Sequence, residues 1–252
     1  MIDVKQLKKS QHVILGERDL ALLHDLYLFV VMSYEQIAKN HFAACAHPTV
    51  FNRLKKLQVA GYILRQKVNR ISTSPGLQSV GVVFQLLPKG LKVLAKSYPQ
   101  MDIVDKVPSL QVHQLDHDLI LGDVGSRLKA PENFAKAYGT VMGVWLDGRY
   151  LNAKYKIQKV PDAVIPMQSG QGFVAIELEM TAKSERRYRE IISQLRTSQD
   201  LRRVVFITPS KSIGQKIKSI IVGYNVDHDF KLQDRFIEVL DLQNVLAGKF
   251  LI

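Results

Sequence analysis

Apolar residues recur at helical spacing near the start of the chain and predict three helices. The first is predicted over residues 17–30, and a short second helix starts at a capping box formed by Ser33 and Gln36. Pro48 suits the first turn of the third helix, and Gly61 ends it. The apolar positions of the first helix are Leu20, Leu23, Leu26 and Tyr27. The predicted buried face of the third helix carries Phe51, Leu54 and Leu57.

The next segments change from helical spacing to short β-branched runs. Strands are predicted over residues 62–65 and 82–86, and the loop over residues 69–79 is rich in Ser, Gly and Pro. Another helix is predicted from residue 88 to residue 97. Three helices followed by a hairpin with a long loop are typical of a winged helix-turn-helix. In such domains the third helix enters the DNA major groove and the hairpin loop, or wing, contacts the backbone or the minor groove.

The charge of the chain agrees with that interpretation. The formal net charge is +12, and residues 1–110 hold fifteen Lys and Arg against seven Asp and Glu. Such an excess favours polyanions, with nucleic acid first among them. Asn52 and Arg53 are chemically suited to read bases, whereas the basic residues Lys55, Lys56, Lys67 and Arg70 are suited to phosphates. The candidate DNA-binding residues of this domain are Thr49, Asn52, Arg53, Lys55, Lys56, Lys67 and Arg70.

Three alternatives to DNA binding stay open at this point. The basic helix face could simply be solvated, the wing could contact another protein, or the domain could bind RNA.

A second domain is predicted after a linker over residues 98–109, so that the domains are 1–109 and 110–252. It starts with a helix over residues 110–128, and strands near 140–146 and 149–155 are joined by a hairpin signal at Asp147-Gly148. The later predicted elements are a helix over 184–195, a strand over 204–208, a helix over 212–222 and a strand over 236–240. This order predicts an α/β domain with a mixed sheet.

Three acidic residues are the most unusual feature of the second domain. Glu177 and Glu179 alternate with apolar residues on one predicted strand, and Asp162 begins the strand before it. The Gly-rich turn over residues 168–172 predicts an antiparallel hairpin that brings the three together. Clustered carboxylates repel unless a cation joins them, so the pattern predicts a divalent-metal site for phosphodiester chemistry. The alternative is a solvated sheet face with incidental acids.

The second domain resembles the PD-(D/E)xK endonucleases. The resemblance rests on the helix–three strands–helix–strand order, on Pro161-Asp162 and on Glu177-Leu178-Glu179. That family usually has Lys where this chain has Glu179. The whole chain also resembles plasmid replication-relaxation proteins and MobC-type mobilisation relaxases, through the winged helix, these motifs and the segments 113–119 and 183–188.

The resemblance implies a relaxase that nicks one strand of double-stranded DNA at a plasmid origin of transfer. It implies Mg²⁺ or Mn²⁺ as the cofactor, with Asp162, Glu177 and Glu179 as ligands, and relaxosome or coupling proteins as further partners. Lys183 could neutralise the scissile phosphate in place of the missing strand lysine, unless it is an ordinary surface lysine. Arg186 and Arg187 are candidate DNA contacts on the following helix. The alternative is a non-catalytic DNA-binding regulator of plasmid replication or transcription with a degenerate nuclease fold, which the Glu at position 179 favours.

Other residues give weaker signals. His113 and His117 are spaced so that one helix could present both to a ligand, although partly buried polar contacts are more common at such positions. Tyr188 suggests a covalent tyrosyl–DNA link, but relaxases of that kind need a histidine cluster that this sequence lacks. Hydrolysis or a noncovalently held nick is therefore favoured over tyrosine attack. The acids of the same predicted helix, for which surface roles are favoured, are Asp116, Asp118 and Asp123.

Other features of the sequence exclude several kinds of site. Cys45 is the single cysteine, which excludes an intramolecular disulfide and a cysteine-rich zinc site. We find no secretory signal and no apolar run long enough for a membrane span, and we expect the protein in the cytoplasm. There is no phosphate-binding Gly-x-x-x-x-Gly-Lys loop, so no nucleotide-driven motor is expected.

Overall fold

The computed structural model describes residues 13–68, 81–99, 103, 107, 111–128, 132–140, 146–147, 159–170, 172–196, 200–227 and 237–249. The chain divides into two compact units, Met1–Gly122 and Asp123–Ile252. Within the described ranges, no helix is both long and apolar enough to cross a membrane.

The first unit has the element order of a winged helix-turn-helix. Its elements are α1 (Glu17–Phe29), β1 (Met32–Ser33), α2 (Tyr34–His41), α3 (His47–Val59), β2 (Ile63–Lys67), β3 (Val82–Leu86) and α4 (Pro88–Ser97). The three strands form an antiparallel sheet in the order β1-β3-β2. The predicted fold class of this unit is therefore confirmed, while the predicted wing loop lies outside the described residues.

Local signals explain where the helices begin and end. The Ser33 hydroxyl accepts a hydrogen bond from Gln36 N at 3.2 Å, and the Gln36 side chain accepts one from Ser33 N at 2.9 Å. This confirms the predicted capping box at the start of α2. Pro48 lies in the first turn of α3, as predicted. Gly61 follows the helix with φ of +78°, a conformation that favours glycine.

The buried face of α3 differs from the prediction at one position. Val50, Leu54 and Leu57 are each at most 2% exposed, whereas Phe51 is 45% exposed. The prediction that Phe51 packs in the core is therefore wrong. Positions 50, 54 and 57 already form a complete i, i+4, i+7 stripe, and the residue after Val50 is rotated away from that stripe.

The second unit contains a five-stranded mixed sheet. Its elements are the later part of α5 (Leu115–Leu128), α6 (Glu132–Tyr138), β4 (Leu146–Asp147), β5 (Ala163–Pro166), β6 (Phe173–Leu178), α7 (Glu185–Arg196), β7 (Leu201–Thr208), α8 (Lys211–Asp227), β8 (Ile237–Asp241) and α9 (Leu242–Leu246). The sheet order is β4-β5-β6-β7-β8. The pairs β4–β5 and β5–β6 are antiparallel, and β6–β7 and β7–β8 are parallel. This confirms the predicted α/β class and mixed sheet; the predicted strand over 149–155 lies outside the described residues.

The helix predicted from residue 110 begins later, at Leu115, after a 3₁₀ turn over Val112–Gln114. Its first half belongs to the first unit, where Leu115 and Leu119 share a buried cluster with Val31 and Val83. The Gln36 side-chain amide also donates to the Leu119 carbonyl at 2.6 Å. The structure thus divides the chain inside α5. The predicted domain boundary between residues 109 and 110 stays a prediction, and so does the independent folding of residues 110–252.

One core cluster of the second unit lies between the sheet and the helices α7 and α8. Val164 of β5, Ala175 of β6 and Phe206 of β7 are buried there with Tyr188 and Ile192 of α7. Ala175 is on the same face of β6 as positions 177 and 179, because side chains alternate along a strand. The helix layer therefore covers the strand face that carries both glutamates.

Candidate functional site

The predicted hairpin brings the first two carboxylates opposite each other. Ala163 pairs with Ile176 in the antiparallel register of β5 and β6, so Asp162 stands one step further along, beside Glu177. Asp162 accepts a hydrogen bond from Leu178 N at 2.7 Å, which ties the start of β5 to the end of β6. Glu177 and Glu179 are each 2% exposed. The alternative of a solvated acidic sheet face does not hold for these two glutamates.

Glu177 is paired with a lysine that the sequence did not single out. The ammonium of Lys159 lies 2.8 Å from both carboxylate oxygens of Glu177 and donates to the Val160 carbonyl at 2.9 Å. Burial, with the charge of Asp162 close by, raises the pKa of Glu177 to about 8, although Lys159 opposes the shift. A buried carboxylate with a perturbed pKa marks this strand end as a candidate functional site.

Glu179 has its own set of partners. Lys183 forms an ion pair with one carboxylate oxygen of Glu179, and the Tyr188 hydroxyl donates to the other at 3.1 Å. Tyr188 is 0% exposed, and its hydroxyl also accepts a hydrogen bond from Lys183 N at 3.3 Å. Burial raises the pKa of Tyr188 to about 12. A buried phenol that is this weakly acidic is poorly placed to attack DNA.

The chemistry of the three carboxylates suits Mg²⁺ or Mn²⁺, since both ions prefer oxygen ligands. Their present arrangement does not suit a shared ion. Glu177 is held by Lys159, Glu179 by Lys183, and Asp162 by a backbone N–H. Across the described ranges, no three His, Cys, Asp or Glu side chains are grouped so that they could hold one metal ion.

The exposed face of α3 carries most of the predicted DNA-binding residues. Thr49, Asn52, Lys55 and Lys56 are all exposed, together with Phe51. Within the described part of the chain, none of the four polar side chains has a hydrogen-bond or ion-pair partner. Polar side chains without internal partners on one helix face are available to a ligand.

Arg53 differs from its neighbours on α3. Its guanidinium donates to Asp19 Oδ1 at 2.8 Å, forms an ion pair with Asp19 Oδ2, and donates to the Ile14 carbonyl at 2.8 Å. The Asp19 side chain is 5% exposed and that of Arg53 is 22% exposed. Arg53 therefore joins α3 to α1, and a role in reading bases stays a prediction.

The other predicted residues are dispersed. Lys67 is exposed at the end of β2, and Arg70 lies outside the described residues. On α7, Arg186 and Arg187 are exposed and both pair with Glu190.

The two predicted histidines do not share a helix. His113 lies in the 3₁₀ turn, whereas His117 lies in α5 beside Asp118, with 3.2 Å between Nδ1 and Oδ1. The i, i+4 spacing of one continuous helix therefore does not apply to them.

A separate cleft of about 730 Å³ lies between α8, β8 and α9. Its lining includes Lys211, Lys218 and Lys249 but none of the three predicted carboxylates. The carboxylate site is thus a buried network at the end of β6 rather than the floor of this cleft.

Sequence reasoning missed Lys159 and Asp19. Both act through partners distant in the chain, 18 residues away for Lys159 and 34 residues away for Asp19. The position of Lys159, two residues before the Pro161-Asp162 pair, is the one local signal that could have drawn attention to it.

Fold and site together define a two-unit α/β protein, in which a winged helix-turn-helix precedes a mixed-sheet unit with buried carboxylates. The replication-relaxation family model matches residues 23–211, well over half of the chain. The chain belongs to the replication-relaxation family, which supports a DNA-related role in plasmid replication or relaxation. No curated protein matches the chain, and no solved structure does so either.

Proposed function

We propose that the chain binds double-stranded plasmid DNA through α3 of its winged helix-turn-helix. The observation that carries this proposal is the exposed face of α3, where Lys55 and Lys56 flank Asn52 and lack partners within the described ranges. Lysines of this kind contact phosphates, and an asparagine can make a bidentate contact with adenine. The net charge of +12 adds a general attraction to nucleic acid.

A salt titration tests DNA binding. The affinity of the wild type for duplex DNA should fall linearly on a log–log plot as salt rises, with a slope of about −0.9 per neutralised phosphate. Lys55→Ala and Lys56→Ala should each make that slope shallower by about one. Lys92→Ala and Lys96→Ala are matched controls, since these exposed lysines lie on α4. Equal losses from α4 and α3 variants would contradict an α3-centred interface.

The same proposal extends to catalysis: the second unit nicks one DNA strand at the plasmid origin of transfer. Support comes from the order of its elements, from Asp162 beside Glu177 on adjacent strands, and from the raised pKa of Glu177. Mg²⁺ or Mn²⁺ would be the metal, since it stabilises charge on the phosphate and activates water. Because Lys159 holds both oxygens of Glu177, such an ion binds Glu177 only after Lys159 has moved away.

A second candidate function is a non-catalytic regulator that binds DNA and keeps the second unit for its structure. The observation that favours it is that Lys159 and Lys183 already occupy Glu177 and Glu179, and that the hydroxyl of the fully buried Tyr188 bonds to Glu179. The two candidates share DNA binding and differ in strand cleavage. Conversion of supercoiled plasmid to open circles, with EDTA as the control, separates them.

A further inference from the structure

The contacts of Lys159 resemble those of a bound ion. Its ammonium is equidistant from the two oxygens of Glu177, at 2.8 Å each, and its third contact is the Val160 carbonyl at 2.9 Å. An ammonium group has three N–H donors, so all of them are used. The Glu177 side chain is 3% exposed and that of Lys159 is 19% exposed. The pair is therefore shielded from water and weakly screened by salt.

Lys183 gives the neighbouring glutamate a second cation. It pairs with Glu179, whose other oxygen accepts the Tyr188 hydroxyl. Each of the two buried glutamates at the end of β6 thus has its own ammonium partner. This pairing reduces the repulsion between the clustered carboxylates of the second unit.

A divalent ion would supply the same charge as these two lysines. An ion bound by both oxygens of Glu177 would lie on the side of the carboxylate that the Lys159 ammonium occupies. Two cations at that position would repel each other and would overlap. Occupation by one therefore excludes the other.

We propose that Lys159 is a built-in cation of this site, and that it and a divalent metal ion bind Glu177 in mutually exclusive ways. The inference deepens the proposed nicking function and rests on it for the identity of the ion. It makes Lys159 a positioning residue that keeps the carboxylates together when no ion is bound. It also explains why the carboxylates are not arranged around a single shared centre.

Calorimetric titration of the full chain with Mn²⁺ alone, without DNA and at pH 8.5, tests the inference. Lys159→Met should bind Mn²⁺ at least about tenfold more tightly than the wild type, since a competing charge has been removed. Lys159→Arg keeps the charge and should bind as weakly as the wild type. Lys218→Met is the matched control, because Lys218 is an exposed lysine of α8 without a partner in the described ranges, and should also bind as the wild type does.

A second variant and a wild-type measurement cover the case in which Lys159→Met does not fold. Lys159→Gln keeps a hydrogen-bond donor without the charge and should show the same gain in affinity. In the wild type, saturating Mn²⁺ should increase acetylation of the Lys159 amine, read by mass spectrometry, while acetylation of Lys218 stays constant. Mn²⁺ affinity in the neutral variants that is equal to or weaker than in the wild type would overturn the inference. So would unchanged acetylation of Lys159 in a wild-type protein saturated with Mn²⁺.

These results are separate from those of the nicking assay. A gain of Mn²⁺ affinity in Lys159→Met beside a wild type that never nicks DNA would support the built-in cation and reject the nickase. Metal-dependent nicking by the wild type, together with unchanged Mn²⁺ affinity in Lys159→Met, would support the nickase and reject the built-in cation.

Discussion

Arg53→Ala should destabilise the first unit far more than substitution of any neighbouring basic residue on α3. The change removes the guanidinium that Asp19 faces with both carboxylate oxygens, and it also removes the bond to the Ile14 carbonyl. Asp19 would stay buried, and it would keep the hydrogen bond that it accepts from Gly16 N at 2.9 Å. The main consequence should therefore be a loss of folding free energy.

The size of that loss follows from the burial of the pair. Breaking a fully buried ion pair by removing one partner costs about 3–5 kcal/mol. The Arg53 side chain is 22% exposed and Asp19 retains Gly16 N, so we expect a loss of about 2–3 kcal/mol. Lys56→Ala, on the exposed face of the same helix, should change stability by at most about 0.5 kcal/mol.

Urea unfolding followed by far-ultraviolet circular dichroism measures the loss. Hydrogen exchange read by mass spectrometry locates it, and the affected peptides should come from α1 and α3. The double variant Asp19→Ala/Arg53→Ala should recover part of the stability, because it leaves no unpaired buried charge. If Arg53→Ala kept wild-type stability but bound DNA poorly, the residue would be a DNA contact and the structural argument would be wrong.

Three further predictions concern single positions. Phe51→Ala should leave stability almost unchanged, because Phe51 is 45% exposed. In anisotropy titrations the wild type should prefer a dA–dT copolymer over a dA–dU copolymer, because Phe51 contacts the thymine methyl, and Phe51→Ala should lose that preference. Ser33→Ala should cost about 1 kcal/mol in urea unfolding, since it removes the cap of α2. The pKa of Glu177 is raised from 4.5 to about 8, so the folded state retains a proton that the unfolded state loses. The stability of the wild type relative to Glu177→Gln should therefore fall as pH rises from 5 to 9, and a constant difference between their unfolding midpoints would contradict this.

Features set by neighbouring residues were predictable from the sequence. The capping box at Ser33, the helix stop at Gly61 and the β5–β6 turn each depend on residues within a few positions of each other. The strand predicted over 204–208 was confirmed as part of Leu201–Thr208, because a continuous apolar run between two helices suits a buried parallel strand.

Features set by long-range packing were not predictable. The burial of Glu177 and Glu179 depends on α7 and α8 covering one face of the sheet, which strand alternation alone does not reveal. The Lys159–Glu177 pair likewise joins residues 18 positions apart, and the antiparallel pairing of β5 with β6 brings the segment before β5 close to Glu177. On α3, Phe51 and Val50 are adjacent apolar residues, and the docking of the helix decides which of them is buried.

The most direct test of the proposed function is the nicking of supercoiled plasmid that carries the cognate origin, in Mg²⁺ or Mn²⁺. The wild type should convert the plasmid to open circles, and EDTA should stop the reaction. Asp162→Ala and Glu177→Ala should abolish nicking yet keep DNA affinity close to that of the wild type, since α3 lies in the other unit. Undiminished nicking by either variant would contradict the proposed site, and absence of nicking by the wild type with both metals would favour the non-catalytic regulator.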